Sequence, residues 1–546
     1  MSLKLKRHYP LILLLAFVLG FFTLAMGNQR IIAYTARASS RNTGQDTINY
    51  SSDVALFDDT VVHTIQILIS DEDYDQMITT YQETGLKDYF HADVIIDGVR
   101  VNDVGIRLKG NASLMTALGG RGSNAMANMM NEFRGGQDMQ LPEGFDPNNL
   151  PEGFNPQNMR PGADDSNIPQ GFDRQNPPEG FDANNLPQGF DQQNLPGGFN
   201  PQNMAMPFGN QDGEVKVPFL IKFDEFVSGQ TYQGYTRLAI RTYGTSSDAS
   251  LLQEPVTNYV FRLAGLPSTQ TAYTGFRFND QAEQLYTISE VLDEVYLAEN
   301  FTYSNGVLYK AELGSTLSYQ GEDPSSYAAS FTQETRVNDA DMAPLIAFIR
   351  FLSESDDATF ESELPNYLDV DAFATYLAIN NLLVNADSVA GMNNNYYLYY
   401  DDTSRRFTLL MWDANESLGK LMGGNNTTYD LYFTSQQGMA FPGGGNRGGP
   451  GGGQNTLLKR FMANATFKAL YEEKLETIYQ QAFLSGAITE KIEAYATLVS
   501  QTNQQRNLVT LENYDAAVTS VLNFISQRSE YLSKTTLLGG LASLPK

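Results

Sequence analysis

Asn385-Ala-Asp-Ser-Val-Ala-Gly-Met-Asn-Asn-Asn395-Tyr-Tyr-Leu-Tyr-Tyr-Asp-Asp-Thr-Ser-Arg-Arg-Phe-Thr-Leu-Leu-Met-Trp-Asp413 is the stretch around which the rest of the chain is organised. A helical pattern over about 369–385 runs into it. Asn395 to Tyr400 and Phe407 to Asp413 are aromatic and aliphatic runs on either side of a polar turn from Asp401 to Arg405, which predicts a β-hairpin. A helix ending at Asp387, Asn395 entering the hairpin and Asp413 leaving it can bring three oxygen-bearing side chains to one point. Mg²⁺ and Mn²⁺ prefer such ligands. Any one of these residues alone reads more simply as a turn or cap residue.

Upstream of this stretch the pattern is strand-like. His63 to Ile69, Ala92 to Gly98 and Val104 to Gly110 read as strands, with Asp97-Gly98 as the tight turn of a hairpin. Further strands are expected at Lys216 to Asp224, Leu238 to Arg241, Tyr273 to Phe278 and Gln284 to Ser289. Helices are expected from a Ser247-Asp248 cap to Leu263, at about 340–352 and 369–385, and through most of 457–537. Strands first and helices later predict an α+β body of two lobes, β-rich then helix-rich, with a cleft between them. Alternation places Arg107 and Lys109 on one strand face beside Gly110, a combination suited to an anionic group such as phosphate. Lys222, in an apolar strand, and Glu254, on the following helix, have the order of the ion pair that positions phosphates in kinases. The plainer reading of each is a solvated cation on a strand.

Composition narrows the chemistry further. The 546 residues include no cysteine, three histidines (His8, His63, His91) and one tryptophan, Trp412, so thiolate metal sites, thiol nucleophiles and disulfides are excluded. Sixty-three acidic against 36 basic residues give a net charge of −27, which disfavours nucleic-acid binding. Lys4, Lys6 and Arg7 ahead of the apolar run Leu11 to Met26 read as an export signal or N-terminal membrane anchor over 1–27, followed by a linker over 28–59. From 114 to 213 a nonapeptide recurs, as in Pro142-Glu-Gly-Phe-Asp-Pro-Asn-Asn-Leu and Pro178-Glu-Gly-Phe-Asp-Ala-Asn-Asn-Leu. Each unit offers too little apolar area to offset ordering its backbone, so a disordered or extended insertion is expected, as is a glycine-rich loop over 436–455.

The segments Val104-Gly-Ile-Arg-Leu-Lys-Gly-Asn111, Lys216 to Phe226, the helix of Glu254, Tyr286-Thr-Ile-Ser-Glu290, Asn385-Ala-Asp-Ser388, Asn395-Tyr-Tyr-Leu-Tyr399 and Trp412-Asp413 together resemble the CotH kinase family. The resemblance implies an atypical protein-kinase-like fold over 60–540, exported to the spore or cell surface, which moves the γ-phosphoryl group of ATP to Ser or Thr of coat or other surface proteins with Mg²⁺ or Mn²⁺. It implies Asp387 and Asp413 as catalytic and metal-binding residues and Asn395 as a further metal ligand. Arg107, Lys109, Lys222, Glu254 and Glu290 fall on the nucleotide side. Where the family often shows a second acid after Trp-Asp, this chain has Asn415, a weaker ligand. A catalytically silent coat-assembly scaffold acting through the repeats is the alternative, and an extracellular carbohydrate-active protein is a third reading.

Overall fold

In the computed structural model the described residues are 47–110, 114, 118, 216–242, 249–302, 305–312, 314–339, 341–421, 426–433 and 455–541. The expected export segment, most of the insertion and nearly all of the glycine-rich loop lie outside them. No helix among the described residues is long and apolar enough to cross a membrane.

The N-terminal half is a closed β-barrel. Its strands are β2 (Val62–Leu68), β3 (Phe90–Ile96), β4 (Val99–Leu108), β5 (Phe219–Lys222), β7 (Arg237–Arg241), β8 (Thr271–Phe278) and β9 (Gln284–Ser289), in the order β2-β3-β4-β5-β7-β9-β8. A parallel β2–β8 pairing closes the ring; its other pairings are antiparallel. Alternation fills the interior with Ile65, Val94, Val104, Ile106, Leu108, Ile221, Leu238, Ile240 and Ile288, all buried, and turns Arg107 and Lys109 outward. The expected β3–β4 hairpin is present, with Asp97 and Gly98 both at positive φ (47° and 84°), as a twisted two-residue turn requires. Helix α1 (Asp71–Thr84) packs Met77 and Tyr81 against this core.

Part of the segment read as linker is folded. Strand β1 (Ile48–Tyr50) pairs in parallel with β6 (Gln230–Tyr232), and Leu56 is buried in the barrel core. Period-two alternation is too short there to be seen in sequence. Leu114 is also buried in that core and Leu118 packs against it, so the folded body extends past the expected start of the insertion.

The C-terminal half packs helices on a four-stranded sheet, β11 (Phe331–Gln333), β10 (Val307–Ala311), β12 (Tyr396–Asp401) and β13 (Arg406–Met411). One face, with Tyr309, Tyr396, Leu398, Phe407 and Met411, joins the large core built with helices α4 (Ala343–Glu354), α6 (Val370–Leu382), α7 (Thr456–Ala463), α8 (Ala465–Ile478), α9 (Ala487–Arg506) and α10 (Leu511–Ser533). The opposite face, with Leu308, Tyr397, Leu410 and Trp412, packs on Tyr296 and Leu297 of α3 (Glu294–Asn300). Residues 290–293 connect β9 to α3 and so join the two halves. Arg506 of α9 ties them again: it donates to the carbonyls of Val62 (2.7 Å) and His63 (2.9 Å) and pairs with Glu283 (2.6 Å).

Helices α1 and α3 lie where none was expected, and two more differ from expectation. Helix α2 spans Gln253–Leu263 and starts after Leu252 with no side-chain cap, and the buried Leu251 and Leu252 anchor its first turn by packing; the expected Ser247-Asp248 cap lies outside the described residues. Helix α5 (Asp357–Tyr367) was hidden because Pro365 and a charged surface weaken its apolar period; Asp356 caps it through the Thr359 N–H (2.7 Å).

Candidate functional site

The outward faces of β4, β5 and β7 carry a row of cations against the C-terminal half. Register sets their places. Gly105 pairs with Lys222 and Lys222 with Arg237 at one end, while Leu108 pairs with Phe219 and Phe219 with Ile240 at the other. Lys109 and Arg241 therefore share one end of the barrel and Lys222 and Arg237 the opposite end. Four residues of strand separate these ends by roughly 13 Å.

Arg241 is the centre of the first group. Its Nε lies 2.6 Å from Glu254 Oε2 and its Nη2 donates to Asp413 Oδ1. Arg241 and Glu254 are 4% and 5% exposed, and a guanidinium can serve both acids because its donors form a planar fork. Lys109 Nζ stands 4.0 Å from Asp413 Oδ2. The Trp412 ring lies beneath both cations, 4.8 Å from Lys109 Nζ and 5.5 Å from the Arg241 guanidinium carbon. Ser289 donates to Glu254 Oε1 (3.2 Å), holding the carboxylate from its other side. Burial raises Glu254 above the usual carboxylate range. Burial would raise Asp413 as well, but Arg241 and then Lys109 hold it below its ordinary value. Lys109 is pushed down to about 7 by burial and by Arg241 beside it.

Asp387 approaches from the C-terminal half. Its two oxygens accept from Asn394 Nδ2 and Asn395 Nδ2, each at 2.9 Å, and Asn395 Nδ2 also reaches the carbonyl of Asp413 (3.2 Å). One amide thus links both candidate acids. Burial pushes Asp387 up to about 7 against these bonds, with Glu416 and Asp413 adding repulsion. Asn395 (φ 52°) and Asp413 (φ 54°) are both in the left-handed region, which Asn and Asp tolerate better than other side chains and which is common at functional sites.

The expected set is therefore split. Asp387, Asn395, Asp413, Lys109 and Glu254 are brought together. Lys222 is not the partner of Glu254: it pairs with Glu225 (2.7 Å) and lies 3.8 Å from Asp224, because β5 runs antiparallel to β4 and β7 and carries it to the far end. Glu290 also stands apart, since it alternates away from Ser289; its Oε2 accepts from the Gln270 N–H (3.0 Å), and burial pushes it up to about 8. Arg107 lies over the Tyr89 ring at 5.3 Å, along the same strand face as Lys109. Arg241 and Arg237, which pairs with Asp293 at 3.2 Å, were not singled out from the sequence. The signal for Arg241 was there: Leu238-Ala-Ile-Arg241, a strand leading to a helix with Glu254, follows the Val-Ala-Ile-Lys pattern whose lysine pairs with a helical Glu in kinases.

Among the described residues no three His, Asp or Glu side chains converge to hold a metal ion. The donor set still fits Mg²⁺, which binds through one or two carboxylates and completes its shell with water and phosphate. Asp387 and Asp413 are close enough to repel and are bridged by Asn395. Beside the cations, Leu220, Ala239 and Val291 form a small apolar patch, with Tyr89 against it, where the outer barrel face meets the connection between the halves.

The chain is 23% identical over 315 residues to the inner spore coat protein H of Bacillus subtilis (strain 168), covering 56% of this chain and 80% of that protein. Among solved structures it is similar to the Helicobacter pylori proinflammatory kinase CtkA, at 10% identity and a TM-score of 0.25, covering 54% of this chain and 90% of that one. The family described as CotH kinase protein matches residues 207–532, more than half of the chain and including Arg241, Glu254, Asp387 and Asp413. The chain belongs to the CotH kinase family.

Proposed function

We propose that this protein is a metal-dependent kinase with a bilobal, atypical kinase-like architecture, which transfers the γ-phosphoryl group of ATP to Ser or Thr of spore-coat or other surface proteins outside the membrane. The observation that carries the reading is the buried junction of Arg241 with Glu254 and Asp413, on a Leu-Ala-Ile-Arg strand and the helix after it. In this reading Arg241 stands where kinases place lysine, and Arg241 with Lys109 neutralises the phosphates. Arg107 extends the same cationic face outward. The apolar patch of Leu220, Ala239 and Val291 takes the nucleobase, with Tyr89 at its edge.

Asp413 and Asn395, with Asp387 at the edge, would hold the metal, whose positive charge would offset the negative charge of the phosphates. Asp387 orients the acceptor hydroxyl and takes its proton. The hydroxyl oxygen bonds to the γ-phosphorus, the bond from that phosphorus to the bridging oxygen of the β-phosphate breaks, and ADP leaves with the electron pair. Most of the catalysis is then placement and charge stabilisation. The test is ATP incorporation with Mg²⁺ or Mn²⁺ by wild type and Asp413→Ala. Loss of transfer in the variant is expected, and equal incorporation by both overturns the assignment.

A further inference from the structure

Arg528 of α10 is fully buried. Its guanidinium donates to the carbonyls of Asn381 (3.0 Å), Leu382 (3.2 Å), Thr427 (3.1 Å) and Tyr429 (2.6 Å), and to Asn381 Oδ1 (3.1 Å). The first two are terminal carbonyls of α6, which have no partner inside the helix, and a cation there also suits the helix dipole. The other two belong to the chain that follows Asp413. One side chain therefore joins the segment leading into Asp387 to the segment leaving Asp413.

What it holds is a tight corner. Val384 has φ 49°, a conformation that β-branched residues rarely adopt. It persists because its surroundings fix it. Val384 N–H donates to Asn381 O (3.0 Å) and Asn385 N–H to Asn380 O (2.8 Å), while the Leu418 N–H donates to Leu383 O (2.8 Å). Asn385 Nδ2 adds a bond to Asn380 Oδ1 (2.8 Å). Asp387 follows two residues later. The Asn381 carbonyl thus serves both Arg528 and Val384, so the arginine sets the anchor on which the corner turns.

We propose that Arg528 is a positioning residue for phosphoryl transfer, fixing the corner from which Asp387 reaches Asn395 beside Asp413. The inference rests on the kinase reading above. Its charge is not what matters most: a lysine would keep the charge but could not span carbonyls on two segments with one planar fork.

The test uses the full chain with Arg528→Lys, compared with wild type in amide hydrogen exchange and in steady-state transfer from ATP to dephosphorylated casein. Exchange over 383–395 is expected to rise at least about tenfold in the variant while barrel amides keep their wild-type rates. The turnover number is expected to fall by roughly ten- to a hundredfold, with KM for ATP within about twofold, because the nucleotide contacts lie on the barrel. Unchanged turnover with faster exchange overturns the proposal, as does uniformly faster exchange with loss of activity proportional to loss of folded protein. If Arg528→Lys fails to fold, Asn381→Ala removes one acceptor and leaves the arginine; a smaller fall in turnover supports the proposal, and wild-type turnover refutes it. A wild type that transfers nothing overturns the underlying reading instead.

Discussion

Replacing Arg241 by methionine keeps the length of the side chain and removes its charge, which isolates the role of the junction. The two acids it serves are then left without it: Glu254, 5% exposed, loses its ion partner, and Asp413, 21% exposed, keeps Lys109 at 4.0 Å. Removing one partner of a buried ion pair costs about 3–5 kcal/mol, because the remaining charge has been taken out of water without compensation. At a urea slope of about 2–3 kcal/mol per molar, the midpoint should fall by about 1–2.5 M at pH 7. Trp412 is the only tryptophan and lies against the junction, so its fluorescence reports the unfolding of this site. The sign of the pH dependence follows from Glu254. Burial already raises its folded value above 4.5, and loss of Arg241 raises it further. The folded variant therefore binds a proton more tightly than the unfolded chain, and its deficit is full above the raised folded value and narrows as pH falls toward 4.5. The same substitution should lower turnover by about 10²–10³, the cost of one donor aimed at developing charge. A stability loss under about 1 kcal/mol, or one equal at pH 7 and pH 5, would refute the buried-junction argument.

Three other outcomes follow from particular contacts. Glu290→Gln should be at least as stable as wild type at pH 8 and indistinguishable near pH 4.5, with turnover unchanged, since Glu290 is pushed up to about 8 and burying its ionised form works against folding; chemical unfolding at the two pH values checks this, and a stability gain at pH 4.5 alone contradicts it. Gly275→Ala would set its Cβ on Arg506 Nη2 and 2.6 Å from Glu283 Oε1, so a loss of about 1–3 kcal/mol is expected in thermal unfolding. Retention of the wild-type midpoint would show that the Arg506 tie gives way freely. Replacing 119–213 by a short Gly-Ser linker should leave the melting temperature nearly unchanged and transfer to casein intact; loss of folding would mean that the repeats support the barrel.

Much of the architecture was legible because its signals are local. The strands from His63 to Ile69 and Val104 to Gly110, the Asp97-Gly98 turn and the hairpin ahead of Asp413 all depend on period-two alternation and turn chemistry within a few residues. Among the elements that escaped, β1 and β11 have three residues each and α5 carries a proline, so their local patterns are weak. The site was legible in the same measure. Asp387, Asn395 and Asp413 come from one contiguous stretch, and their meeting follows from a helix and a hairpin. The partner of Glu254 depends instead on which end of an antiparallel barrel each cation reaches, and strand order is a long-range property. Lys222 and Arg241 both stand on outward strand faces ahead of the helix of Glu254 in sequence. Only the register of β5 between β4 and β7 separates them.

The chain leaves β4 after Leu108 and returns at β5, and the Lys109 N–H donates to the Pro218 carbonyl (3.0 Å), so the two sides of a hundred-residue excursion are hydrogen-bonded at its base. Four paired positions from Gly105–Lys222 to Leu108–Phe219 then fix the register independently of what lies beyond them. Each doubling of a loop costs only about 0.6 kcal/mol of closure entropy. Changing the copy number of the nonapeptide by whole units therefore costs the fold little, and chains with very different numbers of repeats can keep the same barrel and the same site.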